Sequence, residues 1–128
     1  MLTTSSPIED RYTIIRQRID AAAKEAGRAP SDITLLAVSK RQPREAIEAL
    51  LGLGHRDFGE NQIQEWQRKA AAFEDASELR WHLIGPIQTN KAKFVARQLP
   101  TLVHTVDRVA LVEALEKRLD SSTSLPVL

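Results

Sequence analysis

The sequence predicts an α/β protein built around a parallel sheet. Short apolar runs bounded by turn residues alternate with amphipathic stretches of helical spacing, and the apolar runs recur at a nearly constant interval. With Leu35, Asp57, His82 and Val103 as strand markers, the gaps are 22, 25 and 21 residues, and a fifth apolar start at Val127 follows 24 residues later. Such alternation is typical of βαβ units, in which a helix connects neighbouring parallel strands.

Length and composition narrow the class of protein. The chain has 128 residues, 18 Lys and Arg against 17 Asp and Glu, and no cysteine. This length suits one domain with its own hydrophobic core. A net charge near zero argues against a polybasic nucleic-acid or membrane-surface binder, and the lack of cysteine excludes disulfides and thiolate metal sites. Without a membrane-length apolar run or a signal-like start, we expect a soluble, cytoplasmic protein.

The first predicted element is a helix over residues 7–26, preceded by a disordered tail at residues 1–5. Ser6 is placed to act as its N-cap, with Glu9 as the partner residue of a capping box. Apolar residues then follow at helical spacing until Gly27, which predicts the end of the helix. The expected result is one amphipathic helix with a single apolar stripe.

The later elements repeat a strand–helix plan. The apolar run at residues 33–38 is too short for a helix and suits a strand that is buried on both faces. Pro43 then opens a helix that stops at Gly52. Further strands are predicted at residues 57–59, 81–85 and 102–106, and each leads into a helix, the last of which begins at a capping Asp107.

Two architectures fit this plan. An eight-stranded (β/α)8 barrel of the TIM type takes about 250 residues. This chain would then hold an N-terminal helix, about the first four βα units and the start of strand five. The alternative is a self-contained open sheet of four or five strands, as in flavodoxin.

In either architecture, ligands bind at the carboxyl ends of the strands, which draws attention to Lys40. Lys40 directly follows the most apolar predicted strand. A lysine at the rim of an apolar core loses hydration, and this favours the neutral amine that carbonyl attack and Schiff-base formation require. The alternative is that Lys40 is a solvated residue that ends the strand, and position alone favours this second interpretation.

Asn61 and His82 follow or lie in the next two predicted strands. Asn61 offers both a donor and an acceptor, but it could equally be the N-cap of the next helix, with Gln64 as its partner. His82 could offer a hydrogen bond inside the mouth of the site or could be a satisfied core histidine. The spacing of His55, His82 and His104 does not suit a metal site, and no nucleotide-binding loop or nucleophile elbow occurs.

Four sequence blocks match one protein family in order and spacing. They are Leu-Leu-Ala-Val-Ser-Lys at residues 35–40, Phe-Gly-Glu-Asn at 58–61, the run from Trp to Lys at 81–91, and His-Thr-Val-Asp at 104–107. On these blocks the chain resembles the pyridoxal phosphate homeostasis proteins, the YggS/PROSC family. These are single-domain barrels similar to the N-terminal domain of alanine racemase.

The resemblance implies a function and a site. Lys40 aligns with the lysine that carries pyridoxal 5′-phosphate as an internal aldimine, and Asn61 and His82 match positions near the cofactor. Family members bind the cofactor without a well-established catalytic activity and are regarded as buffers or carriers that supply it to apo-enzymes. We accordingly expect no catalytic residue and no metal ligand in this chain. An amino-acid racemase is the alternative. It would need a second acid or base, and Tyr12, the one tyrosine, falls in the apolar stripe of the first helix.

The resemblance also implies an incomplete barrel. Family members are roughly twice this length, and their phosphate-binding loops follow strands seven and eight, as in many barrels of this type. Residues 6–128 are therefore expected to be the N-terminal half of a pyridoxal-phosphate-binding barrel, either as a fragment or as a chain that pairs with a second copy. A half-barrel that acts only through protein contacts is a third possibility. Neither nucleic acid nor membrane is an expected partner.

Overall fold

The computed structural model describes residues 7–128, which form two compact units. The predicted tail at residues 1–5 and the predicted N-cap at Ser6 lie outside the described residues. Within the described range, no helix is both long and apolar enough to cross a membrane. Of the described residues, the first unit contains 7–36 together with Gln42–Arg56, and the second contains Ala37–Arg41 together with Asp57–Leu128.

The first unit is helical. Helix α1 (Pro7–Glu25) confirms the helix predicted over residues 7–26, and α2 (Arg44–Gly52) confirms the helix predicted after Pro43. The two helices contact each other. The apolar residues buried in this unit are Ala23, Ile47 and Leu50.

The second unit is a parallel sheet with helices. Its strands are β1 (Ala37–Val38), β2 (Asp57–Glu60), β3 (Arg80–Leu83) and β4 (Leu102–Val103), and its helices are α3 (Ile63–Ala72), α4 (Ala92–Gln98) and α5 (Val109–Arg118).

The order of the strands is sequential. β1 pairs with β2, β2 with β3 and β3 with β4, all in parallel. Val127 forms a parallel bridge to Val103, so the predicted fifth apolar start lies beside β4. A flavodoxin-like sheet has the order 2-1-3-4-5 and differs from the one observed. The α/β class with a parallel sheet is confirmed, and the flavodoxin-like order is not found.

Three strands are shorter than predicted; among them β3, predicted over residues 81–85, spans Arg80–Leu83. The apolar run at residues 33–38 contributes only Ala37 and Val38 to the sheet, because its ladder with β2 pairs only these residues, with Phe58 and Gly59. Likewise β4 ends at Val103, although the sequence predicted a strand to residue 106. Single backbone hydrogen bonds continue past both strands, from Ser39 N–H to the Gly59 carbonyl and from Val106 N–H to the Leu128 carbonyl, without extending the strands.

The predicted helix caps are also wrong. The N-cap of α3 is Gln62 and not Asn61, because the backbone stays extended for one residue more (φ −113°, ψ 135°). The N-cap of α5 is Arg108 and not Asp107, and neither helix has a capping hydrogen bond from an N-cap side chain. Asn61 is thereby free of the structural role that the sequence offered for it.

The two faces of the sheet differ in the residues that they carry, and α3 covers one of them. Phe58 and Trp81 are register partners, both are buried, and their ring centroids lie 6.0 Å apart. Glu60 follows on the same face by strand alternation and forms an ion pair with Lys69 of α3, so this is the face that α3 covers. The opposite face carries Asp57 and other polar residues.

Candidate functional site

A cavity of about 440 Å³ lies at the carboxyl ends of β1 and β2. Its lining combines a primary amine, two guanidinium groups, three carboxamides and one carboxylate. The structure thus brings Lys40 and Asn61 together, as expected from their positions after neighbouring strands. The lining residues are Lys40, Arg41, Asn61, Gln62, Gln64, Glu65 and Arg68.

A second cavity, of about 510 Å³, lies beside α5 and has a different character. Most of its wall is aliphatic, with Val112, Leu115 and Val127 among the contributors. None of the described residues that line it is a lysine or histidine, so it lacks the amine that Schiff-base chemistry requires. The cavity at Lys40 is therefore the better candidate site.

Lys40 is an exposed residue in the turn after β1. The expectation that an apolar rim would strip water from it is therefore wrong, because β1 ends two residues earlier, at Val38. Within residues 7–128, no hydrogen bond or ion pair engages the Lys40 amine. The amine lines the cavity without a protein partner there.

The buried lysine of this region is Lys69, on α3. It is 8% exposed, and its Nζ donates to the Ser39 carbonyl and to Glu60 Oε1 and lies 3.3 Å from Glu65 Oε2. This residue was not among those predicted from the sequence. Its spacing gave a signal, since Lys69 follows Trp66 by three residues and so falls on the buried face of α3.

Two carboxyl groups beside Lys69 have shifted pKa values. Glu60 is fully buried, and burial raises the pKa of its carboxyl. Burial also acts to raise the pKa of Glu65. Hydrogen bonds from the Arg41 backbone N–H and from Lys69 outweigh that effect, so the pKa of Glu65 is lowered overall. Glu65 is therefore held as a carboxylate at the wall of the cavity.

The backbone of Asn61 is fitted closely against Gly85. A Cβ atom at position 85 would lie 2.1 Å from the Asn61 carbonyl oxygen, so only glycine fits there without movement. The Gly85 carbonyl in turn accepts a hydrogen bond of 2.6 Å from Thr105 Oγ1. This contact and hydrogen bond connect the loops that follow β2, β3 and β4. From the sequence, Gly85 was the last residue of a predicted strand, and this close approach was not foreseen.

His82 does not line the cavity. It is buried, its Nε2 lies 2.9 Å from Asp57 Oδ1, and its Nδ1 lies 3.0 Å from His104 Nε2. Both ring nitrogens are thus engaged, as in the alternative interpretation of a satisfied core histidine. Burial, followed by the neighbouring His82, lowers the pKa of His104.

Asp57, His82 and His104 form a hydrogen-bonded polar row, and Asp57 lies at one end of it. Arg80 donates from Nε and Nη2 to the two oxygens of its carboxylate, each at 2.8 Å. These hydrogen bonds, with that from His82, outweigh burial and lower the pKa of Asp57 to about 2. In the part of the chain that the structure describes, no group of His, Asp and Glu side chains is arranged to hold a metal ion.

Sequence comparison relates the chain to curated proteins of one name, although no family model matches it. The pyridoxal phosphate homeostasis protein of Escherichia coli K12 is 44% identical over 103 residues, covering 79% of this chain and 44% of the relative. That of Pseudomonas aeruginosa is 42% identical over 113 residues, covering 88% of this chain and 48% of the relative.

Solved structures share the fold. PipY of Synechococcus elongatus, determined with pyridoxal phosphate bound, matches with a TM-score of 0.66 and 37% identity over 78% of this chain and 47% of PipY. An unknown protein from Bifidobacterium adolescentis matches with a TM-score of 0.81 and 29% identity, over 94% of this chain and 53% of that protein.

These comparisons place the chain among α/β proteins that include one solved with pyridoxal phosphate. More particularly, it is a relative of the pyridoxal phosphate homeostasis proteins, which confirms the resemblance carried by the four sequence blocks. The chain spans about half the length of the curated relatives it matches.

Proposed function

We propose that this chain is part of a pyridoxal 5′-phosphate-binding protein in which Lys40 is the covalent anchor. Its role is cofactor homeostasis, as a buffer or carrier that supplies apo-enzymes, and not catalysis. The observation that carries the proposal is an amine without a protein partner in residues 7–128, lining a cavity of about 440 Å³ at the carboxyl ends of parallel strands. The kinship with pyridoxal phosphate homeostasis proteins supports it.

For the fold, we infer that residues 6–128 are the N-terminal half of a (β/α)8 barrel. The sequential, parallel order of β1 to β4 and the bridge that adds Val127 beside β4 support this inference. So does the coverage of about half of each relative, since a barrel of this type takes about 250 residues.

The residues of the cavity fit the chemistry of this cofactor. The volume lies in the range usual for small-molecule sites. The guanidinium groups of Arg41 and Arg68 give the wall positive charge, which suits an anionic ligand. Asn61 can donate and accept hydrogen bonds to a polar ring substituent. When bound, the cofactor supplies an aldehyde carbon. The Lys40 nitrogen would form a C=N bond to this carbon, and the aldehyde oxygen would leave as water.

Binding is favoured over catalysis because, apart from the Lys40 amine that serves as the anchor, the described lining of the cavity offers no free acid or base. Of the described residues that line it, Glu65 carries the carboxylate, and that group is engaged by the Arg41 N–H and by Lys69. A racemase would require a second group free to move a proton. For His82 we propose an indirect role, as buried support of β3, because both of its ring nitrogens are engaged.

Trapping experiments test the proposal. The chain is titrated with pyridoxal phosphate, treated with borohydride to reduce the Schiff base, digested and mapped by mass spectrometry. We expect a yellow complex and a label on Lys40, and loss of both in Lys40→Ala. Lys117→Ala, which changes an exposed lysine on α5, is the matched control and should bind like wild type.

Two results would contradict the proposal. Equal Schiff-base absorbance in Lys40→Ala would exclude Lys40 as the anchor. A wild-type chain that shows no spectral change would instead favour a half-barrel that acts through protein contacts alone.

A further inference from the structure

The turn that carries Lys40 has an unusual backbone. Arg41 adopts φ +59°, in the left-handed region that residues other than glycine rarely occupy. A conformation of this kind persists only where surrounding contacts hold it. The contacts of this turn therefore show what sets the position of Lys40.

Both peptide groups that flank Lys40 are held by one ionic network. The Ser39 carbonyl, in the peptide group before Lys40, accepts a hydrogen bond from Lys69 Nζ. The Arg41 N–H, in the peptide group after it, donates to Glu65 Oε2 at 2.8 Å. Lys69 and Glu65 lie four residues apart on α3 and form an ion pair of 3.3 Å. One turn of α3 thus fixes the backbone on each side of Lys40.

The network is anchored on a buried carboxyl group, that of Glu60. Glu60 is fully buried, and its Oε1 accepts hydrogen bonds from Lys69 and, at 3.0 Å, from Ser39 Oγ. Together with the Ser39 carbonyl and Glu65, this gives the Lys69 ammonium three acceptors for its three N–H groups. Glu60 Oε2 has no hydrogen-bond partner among the described residues, whereas the Lys69 donors are all satisfied and hold the ammonium in one geometry.

We propose that Lys69 and Glu65 are positioning residues that fix the turn at Lys40 and so direct its amine into the cavity. The inference rests on the proposed function, in which Lys40 is the covalent anchor. Neither residue bonds to the Lys40 amine, and both act through the backbone beside it. Such positioning matters because a displacement of about 1 Å at a reacting group can cost about a hundredfold in rate.

A pair of variants at Glu65 tests the proposal without leaving the buried Glu60 charge unpaired. Glu65→Gln keeps an oxygen that can accept the Arg41 N–H, whereas Glu65→Ala removes it. Two measurements are made on the intact chain: hydrogen exchange of the Arg41 amide, and the rate of borohydride-trapped labelling of Lys40 by pyridoxal phosphate. Lys117→Met serves as a control for a lost surface charge.

In Glu65→Ala we expect exchange at Arg41 to become about tenfold faster or more, and labelling of Lys40 to become roughly 10- to 100-fold slower. Glu65→Gln should retain most of both properties, which a merely structural loss of stability would not explain. Lys69→Met, studied at a temperature where circular dichroism shows it folded, should slow labelling in the same way.

The other outcomes separate the two proposals. Faster exchange with unchanged labelling of Lys40 would overturn the positioning role and leave the anchor in place. Unchanged exchange in Glu65→Ala would show that the contact does not hold the turn, and would overturn the inference. Absence of label on Lys40 in the wild type would overturn the proposed function, and this inference with it.

Discussion

The turn after β1 separates two polar regions of opposite character. On the side covered by α3, Lys69 is buried and has three acceptors, among them Glu60 and the Ser39 carbonyl. On the cavity side, Lys40 is exposed, and neither it nor the Asn61 side chain has a hydrogen-bond partner within residues 7–128. Two lysines of the same unit thus lie in contrasting surroundings.

The contrast shows that burial alone does not distinguish structural from functional polar groups here. What distinguishes them is whether the group has hydrogen-bond partners within the protein. A buried group must have its partners within the protein, since an unsatisfied donor costs about 1–3 kcal/mol. Lys69 meets that condition and is fixed. Lys40 does not need partners because water reaches it, and its amine remains available to a ligand. The functional candidate is therefore the less buried of the two lysines.

The largest expected effect on the free energy of unfolding is at Lys69, on the side of the turn that α3 covers. Replacing Lys69 in Lys69→Met removes the positive partner of a fully buried Glu60, and breaking a buried ion pair in this way costs about 3–5 kcal/mol. The free energy of unfolding, measured with urea, should fall by that amount. Lys117→Met, at an exposed position, should change it by less than about 0.5 kcal/mol.

A double variant shows where the loss arises. If the cost comes from an unpaired Glu60 carboxylate, Lys69→Met with Glu60→Gln should be more stable than Lys69→Met alone. A single variant that loses less than about 1 kcal/mol would show that Lys69 is not essential to the buried region, and the contrast with Lys40 would lose its basis.

The next largest effect on stability is expected at Gly85, in the loop that packs against Asn61 of the cavity. Gly85→Ala would put a Cβ atom 2.1 Å from the Asn61 carbonyl oxygen, and relieving that overlap must move the backbone of one loop. We expect a loss of about 1–3 kcal/mol in the free energy of unfolding, together with weaker retention of pyridoxal phosphate.

Gly52→Ala is the matched control, because at that position, the last residue of α2, a Cβ would have no atom within 4 Å other than those of its chain neighbours and its own helix backbone. It should leave stability unchanged or raise it by less than about 1 kcal/mol. Equal losses in the two glycine variants would show that the close approach to Asn61 is not what makes Gly85 necessary.

The sequence predicted the elements well because their signals are local. Helical spacing of apolar residues placed α1 to within one residue, and the spacing of the apolar runs predicted parallel strands in sequence, down to the bridge at Val127. The four sequence blocks also predicted the relationship that the comparisons confirm. The same local patterns placed Lys40 and Asn61 after neighbouring parallel strands, which end at one edge of the sheet, and both line the cavity there, whereas His82 does not.

The rest depended on contacts between residues distant in sequence. The dehydration expected for Lys40 assumed a strand that reached it, whereas the ladder ends at Val38. Lys69 lies 30 residues from the Ser39 carbonyl that it contacts, so no local pattern could reveal the network. The fit of Gly85 against Asn61 similarly depends on two loops of different strands.

A smaller effect is expected for the polar row at Asp57, and it depends on pH. The pKa of Asp57 is lowered from 3.8 to about 2 by Arg80 and His82, so its charged form stabilises the fold. The contribution is fully present above about pH 4 and is lost as the pH falls through about 2. Because Arg80 is half exposed, we expect about 1–2 kcal/mol.

Asp57→Asn should remove this contribution at pH 7 and flatten the acid side of the stability curve. Urea unfolding at pH 7, 4 and 2.5 measures it for both proteins. Curves that stay parallel down to pH 2.5 would show that Asp57 is not held ionised by its neighbours.

The smallest effect on stability, under about 0.5 kcal/mol, is expected at Lys40 itself. Lys40→Ala removes an exposed amine that has no protein partner within residues 7–128, so the free energy of unfolding should not change measurably. Urea unfolding without the cofactor provides that comparison, and Lys117→Ala provides the control. A loss above about 1 kcal/mol would mean that Lys40 supports the fold. A neutral result together with lost labelling by pyridoxal phosphate would assign this lysine to the ligand, because a side chain that contributes nothing to folding is free to serve binding.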